Sequence, residues 1–209
     1  MRYAAAAATA AIAAALTVTA SAWASPIPDQ AREHQRHLTR AVQAHHGLSG
    51  PVALHAAIVH QESSWRPDAR SPVGAKGLAQ FMPVTAGHVE ELLDADGFDP
   101  MNPRQAITGM ARYTAWLKRQ VDPWGDGGRF DHWSMVLSAY NGGLGWVRRD
   151  REQAREDGRD PDRWFCHVES AQTRSDDAQQ ENRDYVRAVL LRHQADYLEA
   201  GWRGPRVSR

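Results

Sequence analysis

His60-Gln61-Glu62-Ser63-Ser64-Trp65, followed across a proline- and glycine-bearing loop by Gly77-Leu78-Ala79-Gln80-Phe81-Met82-Pro83, is the stretch on which the reading of this chain turns. Upstream of it, Leu54, Ile58 and Glu62 are spaced by four and share one helix face, which the first two make apolar. A helix is therefore expected from about Pro51 to Ser63, with Ser49 as its cap and proline in the first turn. Glu62 should point toward the core side from the last turn, where the helix dipole disfavours a carboxylate. Both effects raise a carboxyl pKa, and a raised pKa suits a general acid near neutral pH. Position alone fits equally a glutamate that frays into solvent at a helix end.

Outward from this stretch the chain reads as helix. Pro67, Pro72 and Gly74 make residues 64–76 a loop, and Pro83 opens a helix ending near Asp94. Asn102-Pro103 opens the next, with Ile107, Met110, Tyr113 and Leu117 as its apolar stripe. Trp133, Val136, Leu137 and Tyr140 repeat the spacing until Gly142-Gly143 breaks it. A mostly charged helix from Val147 to about Gly158 suits a solvated surface, since Arg148-Arg149-Asp150-Arg151-Glu152 mixes signs. Residues 161–175 read as irregular. The last helix, about Asp176 to Ala200, would bury Val186, Val189, Leu190 and Tyr197. With no alternating strand pattern and no internal repeat, the expected class is all-α, one compact helical domain over residues 49–200. A partly solvated lead-in helix over 25–48 precedes it, and a polar tail over 201–209 comes after it.

Arg2, an uncharged Ala-rich run from Ala4 to Ala20, and Ala22-Trp23-Ala24 give residues 1–24 the pattern of a cleaved export signal. The protein is therefore expected outside the cytoplasm, in the periplasm or at the cell wall, with no stable membrane span once the signal is removed. Cys166 is the sole cysteine, so the core rather than a disulfide must hold the domain. The 25 basic and 25 acidic side chains balance, which gives no reason to propose nucleic acid as a partner. A monomer is expected.

The motifs in this stretch resemble those of the soluble lytic transglycosylase family, which has a lysozyme-like α fold and is related to goose-type lysozymes. Glu62-Ser63, Pro67, Ala69 and Ser71 carry the resemblance, continued by Gly74-Ala75-Lys76-Gly77-Leu78, Gln80 and Met82-Pro83. Ala139-Tyr140-Asn141-Gly142-Gly143 forms a second motif, and Glu181 to Val186, with Tyr185, a weaker third. It covers roughly Pro51 to Leu190. The chain departs from it at Ala79, where the family usually has Met. The resemblance implies cleavage of peptidoglycan glycan strands without a cofactor or metal. Glu62 would be the acid and then the base. Ser71, Gln80, Met82, Tyr140 and Asn141 would line the cleft, Tyr185 would position Glu62, and Ser63 would belong to the site. The bond between MurNAc and GlcNAc would break with closure of a 1,6-anhydro ring.

Bland readings stand beside these roles. Met82 and the Tyr140 ring fit a core equally well, Asn141 fits a helix C-cap, and Gly74 and Gly77 fit backbone requirements. A hydrolytic goose-type lysozyme would need a second carboxylate to activate water, for which Asp68, Asp96 and Asp99 are the candidates. A non-catalytic glycan-binding scaffold is a further alternative, against which the presence of Glu62 argues. The ten histidines show no metal-ligand spacing, and the acidic residues around Gly97 lack a calcium-loop pattern.

Overall fold

The computed structural model describes residues 27–125, 128–171 and 173–209. The expected export signal lies outside these residues. Among them are eight α-helices: α1 (Asp29–His46), α2 (Val52–Ser63), α3 (Pro83–Leu93), α4 (Pro103–Val121), α5 (Gly128–Gly142), α6 (Leu144–Glu156), α7 (Asp176–Arg187) and α8 (Gln194–Glu199). A π-helical segment, Ala188–His193, joins α7 to α8. The only β pairings among the described residues are isolated bridges, Arg70 with Lys76 and Lys76 with Phe81. The all-α architecture is thus observed. No described helix is long and apolar enough to cross a membrane.

Helix α2 is the axis of the molecule. Every residue from Val52 to Val59 is buried, so this helix is covered on all sides rather than amphipathic. It packs against α1, α8 and the π segment, while α5 packs against α4, α6 and α7. Helix α1 joins the same core through Ala31, Leu38, Ala41 and Val42, against α4. Asn102 caps α4 by accepting from the backbone N–H groups of Arg104 and Gln105 at 3.0 and 3.2 Å.

Three sequence expectations are corrected by the structure. Ser49 does not cap α2. The Ala53 N–H instead donates to the Arg203 carbonyl at 3.0 Å, so the C-terminal segment satisfies a first-turn donor. Residues 201–209 are accordingly no free tail: Trp202 and Val207 are buried, and Val207 exchanges two backbone hydrogen bonds with the Gln194 side chain. The charged helix α6 is not wholly solvated either. Asp150 is fully buried, paired with Arg174 and accepting from Thr173. Mixed charge along a helix cannot reveal that one carboxylate has a distant arginine waiting for it.

His46 and His55 meet beneath α1, their Nε2 atoms 3.1 Å apart, with the Thr114 hydroxyl within 3.1 Å of both. His55 Nδ1 donates to the Pro51 carbonyl, which leaves its Nε2 as an acceptor. Burial pushes His46 down to about 2 and His55 to about 4. Both therefore stay neutral in the fold at pH values where the unfolded chain, near 6.5, already takes up protons. Stability is expected to fall as pH drops from about 6.5 toward about 4, by up to about 1.4 kcal/mol per pH unit for each histidine. Melting temperatures across that interval, measured in a Glu62→Gln variant so that the opposite pH dependence of that carboxyl is removed, check this. A flat profile would mean the imidazoles charge in place.

Candidate active site

Glu62 lies in the last turn of α2, and the sharp exit of the chain from that helix fixes where its side chain goes. Ser64 and Trp65 are both left-handed, at φ 50° and 63°, a conformation that costs non-glycine residues about 1–2 kcal/mol each. Trp65 holds the turn, being fully buried with its indole N–H donated to the Tyr197 hydroxyl. The half-buried Glu62 carboxyl is thereby placed in a cleft of about 440 Å³. Loop 71–82 and the start of α3 form one wall. The C-terminal end of α5 and the face of α7 form the other.

Tyr185, from α7, donates its hydroxyl to Glu62 Oε1 at 2.6 Å. Burial raises the Glu62 pKa to about 8; the Tyr185 hydrogen bond opposes the rise, and the charge of Glu181 adds to it. Glu62 is thus protonated at neutral pH and sits at the edge of solvent. Tyr140 and Tyr185 are pushed well above the usual phenol range, first by burial and then by facing Glu62, so both remain neutral donors.

Ser71, Gln80, Met82, Tyr140 and Asn141 line the cleft with Glu62. The Ser71 hydroxyl accepts from the Ala75 N–H at 2.9 Å, and the Ser71 N–H donates to the Ala75 carbonyl at 3.0 Å, which folds the loop back on itself. Gln80 is left-handed, and its amide nitrogen donates to the carbonyls of Ala69 and Gly77 at 3.2 and 2.8 Å. With its nitrogen held by these two carbonyls, the side-chain oxygen is left as the acceptor end of a residue that lines the cleft. Met82 is 39% exposed at the lip, near exposed Val73. The Tyr140 hydroxyl donates to the Ala79 carbonyl at 2.8 Å, tying the two walls together.

Ser63 is not brought to the cleft. It is buried behind it, with its hydroxyl spent on the carbonyls of Val59 and Leu78. The residue after Glu62 on the helix is about 100° around, and that face meets the loop. Asp68, Asp96 and Asp99 are not among the residues that line the cleft; Asp99 accepts from the Met101 N–H instead. The carboxylate that does share the cleft is Glu181. Its signal was the spacing of four from Tyr185, which puts both on one face of α7. Glu181 and Asn141 also border an adjoining cavity of about 630 Å³ that includes Gln61, Arg187 and Arg192, so the two cavities continue one groove along α7.

Behind this wall the second motif is clamped. A Cβ on Gly142 would lie 2.4 Å from Arg174 Nη1 and 3.0 Å from Asn182 Nδ2, and that guanidinium is held by buried Asp150. Gly143 comes next at φ 95°, ending α5 where the groove begins.

Comparison with known proteins agrees with this arrangement. Residues 42–162 match the family model described as Transglycosylase SLT domain. Membrane-bound lytic murein transglycosylase F 2 of Alkalilimnicola ehrlichii is 35% identical over 136 residues, 63% of this chain and 27% of that protein. Membrane-bound lytic murein transglycosylase F of Hahella chejuensis is 35% identical over 117 residues, 54% of this chain and 20% of that protein. An inactive mutant of lytic transglycosylase Slt from Pseudomonas aeruginosa superimposes with a TM-score of 0.59 at 24% identity, covering 84% of this chain and 25% of that one. The soluble lytic transglycosylase SLT70 of Escherichia coli gives a TM-score of 0.57 at 26% identity, covering 81% and 25%. The chain thus spans about a fifth to a quarter of the length of these relatives. With the helices, the loop and the cleft all in the order its motifs require, the chain belongs to the transglycosylase SLT domain family.

Proposed function

We propose that this protein is an exported lytic transglycosylase that cleaves the glycan strands of peptidoglycan between MurNAc and GlcNAc. The observation that carries the reading is the Glu62 carboxyl, kept protonated at neutral pH in an open cleft by its surroundings and held by Tyr185. Glu62 gives its proton to the bridging oxygen as the bond from that oxygen to the MurNAc anomeric carbon breaks. The MurNAc acetamido group stabilises the positive charge developing there. Glu62, now a carboxylate still hydrogen-bonded by Tyr185, takes the proton from the MurNAc 6-hydroxyl. That oxygen closes onto the anomeric carbon. Glu62 ends protonated as it began, and no water is consumed. The closure is intramolecular, so proximity lowers its barrier.

Digestion of purified peptidoglycan should release muropeptides whose new MurNAc ends are lighter by one water than reducing ends. Glu181 supports the alternative of a hydrolase, being a second carboxylate in the cleft; reducing ends would favour it.

The pH profile is set by the same geometry. With Glu62 as the acid, kcat/KM should fall as pH rises through about 8. The Tyr185 hydroxyl lowers the Glu62 pKa, so Tyr185→Phe should move that limb to higher pH. It should also cut turnover about tenfold or more, because the carboxylate formed after proton donation loses its hydrogen bond. An unmoved limb and parent turnover would make Tyr185 a packing residue.

A further inference from the structure

Asn182 is the most deeply buried polar side chain of α7, 1% exposed, and both ends of its amide are hydrogen-bonded. Its oxygen accepts from the Ser138 hydroxyl at 2.6 Å. Its nitrogen donates to the Ser138 backbone carbonyl at 3.1 Å and to the Asn141 side-chain oxygen at 2.7 Å. These bonds leave no freedom in the direction of either amide. A backbone carbonyl can only accept, so the Asn182 atom facing it must be the NH₂ group. The same nitrogen faces Asn141, so the Asn141 atom it meets must be the carbonyl oxygen. The Asn141 nitrogen therefore points away from Asn182.

Asn141 borders both cavities of the groove, the one holding Glu62 and the one beyond Glu181. We infer that Ser138 and Asn182 lock Asn141 as a hydrogen-bond donor aimed at an acceptor oxygen of the glycan strand where the two halves of the groove meet. Asn182 is then a positioning residue that acts through Asn141, and Asn141 is a specificity-determining contact. Among the groups on the sugar rings themselves the strongest acceptors are the carbonyl oxygens of the N-acetyl groups, which both sugars carry while the lactyl arm is on MurNAc alone, and one of these is the group assigned. Gln80, on the opposite wall, has its nitrogen held by two carbonyls, so its remaining side-chain group can only accept. The groove thus carries one fixed donor and one fixed acceptor, a pairing that suits acetamido groups better than hydroxyls, which can serve either way. This inference rests on the glycan-cleaving reading above.

The test is a double-mutant cycle read on soluble, uncrosslinked peptidoglycan strands, with kcat, KM and melting temperature measured for each protein. Asn141→Ala should lower kcat/KM about tenfold, leaving an acceptor on the substrate unpaired. Asn182→Ala should lower kcat/KM by a smaller factor and also lower the melting temperature. In the Asn141→Ala background, Asn182→Ala should lower the melting temperature again but leave kcat/KM unchanged, because its effect on activity passes through Asn141. Asn141→Asp keeps an oxygen for the Asn182 N–H and offers the strand an oxygen in place of the donor. It should keep the parent melting temperature and share the loss in kcat/KM, and it remains informative if Asn182→Ala does not fold. Parent-like kcat/KM for Asn141→Asp, or independent losses in the cycle, would overturn the inference while leaving the glycan-cleaving reading intact. A parent protein that releases nothing from the strands would overturn both.

Discussion

Glu62→Gln is expected to abolish peptidoglycan cleavage while making the protein more stable at neutral pH. The activity loss comes from removing the protonated carboxyl in the cleft, and should be on the order of 10²–10⁴-fold or more, since one group serves as acid and then as base. The stability gain comes from linkage. The folded-state pKa of Glu62, about 8, lies above that of an ordinary glutamate, so the folded protein holds a proton that the unfolded chain releases above pH ~4.5. Stability from this group is full below pH ~4.5 and is lost progressively as pH rises toward about 8. Glutamine keeps the volume, still accepts from Tyr185 through its carbonyl, and has no proton to lose. The variant should therefore gain on the order of 2 kcal/mol at about pH 7 and nothing at about pH 4. Thermal unfolding at both pH values, beside a muralytic assay, reads the two effects separately. A variant that clears peptidoglycan at the parent rate would remove Glu62 from the mechanism. A gain equal at both pH values would mean the carboxyl is not held protonated.

Gly77→Ala should be the most damaging single methyl in the loop. Gly77 is left-handed at φ 73°, and a Cβ there would sit 1.8 Å from the Pro100 carbonyl oxygen. That oxygen is backbone and cannot rotate away, so either loop 71–82 or the 99–102 turn has to move. The expected cost is about 3 kcal/mol or more, roughly a 10 °C loss in melting temperature for a chain of this size. Activity should fall with it, because Ser71 and Gln80 are placed by the same loop, the Gly77 carbonyl holding Gln80 directly. Gly74→Ala is the control. Gly74 is also left-handed, at φ 95°, but nothing lies within 4 Å of the added carbon. Its cost should be near the backbone strain alone, about 1 kcal/mol. Equal losses in the two variants would mean that strain rather than collision decides.

The range of the forces involved separates the parts of this structure that were legible beforehand from those that were not. Helix α4 could be read from Asn102, Pro103 and the stripe through Leu117 because capping and amphipathic spacing are local. The direction of Glu62 was given by its distance of four and eight residues from Ile58 and Leu54, again on one helix. Ser63 could not be placed the same way, since what consumes its hydroxyl is the Leu78 carbonyl on a loop folded back across it. Asp150 on α6 looked like one charge among many until Arg174 met it from 24 residues away. The burial of Trp202 and Val207 is of the same kind: a short polar-looking segment docks on the start of α2 and on Gln194 through long-range bonds. Glu181 was within reach through its spacing from Tyr185. Asn182 was not, because nothing local says that a helical asparagine will face a serine and an asparagine on α5.

In the proposed mechanism Glu62 works alone, and the sugar's own hydroxyl, not water, attacks the anomeric carbon. Digestion of purified peptidoglycan in ¹⁸O-water, with mass spectrometry of the new MurNAc ends, tests it most directly. Ends that carry the 1,6-anhydro ring and no heavy oxygen are the predicted result, in the parent protein and in Asp68→Asn, Asp96→Asn and Asp99→Asn alike. Reducing ends labelled with heavy oxygen would contradict it and would make Glu181 the first carboxylate to examine as a base for water.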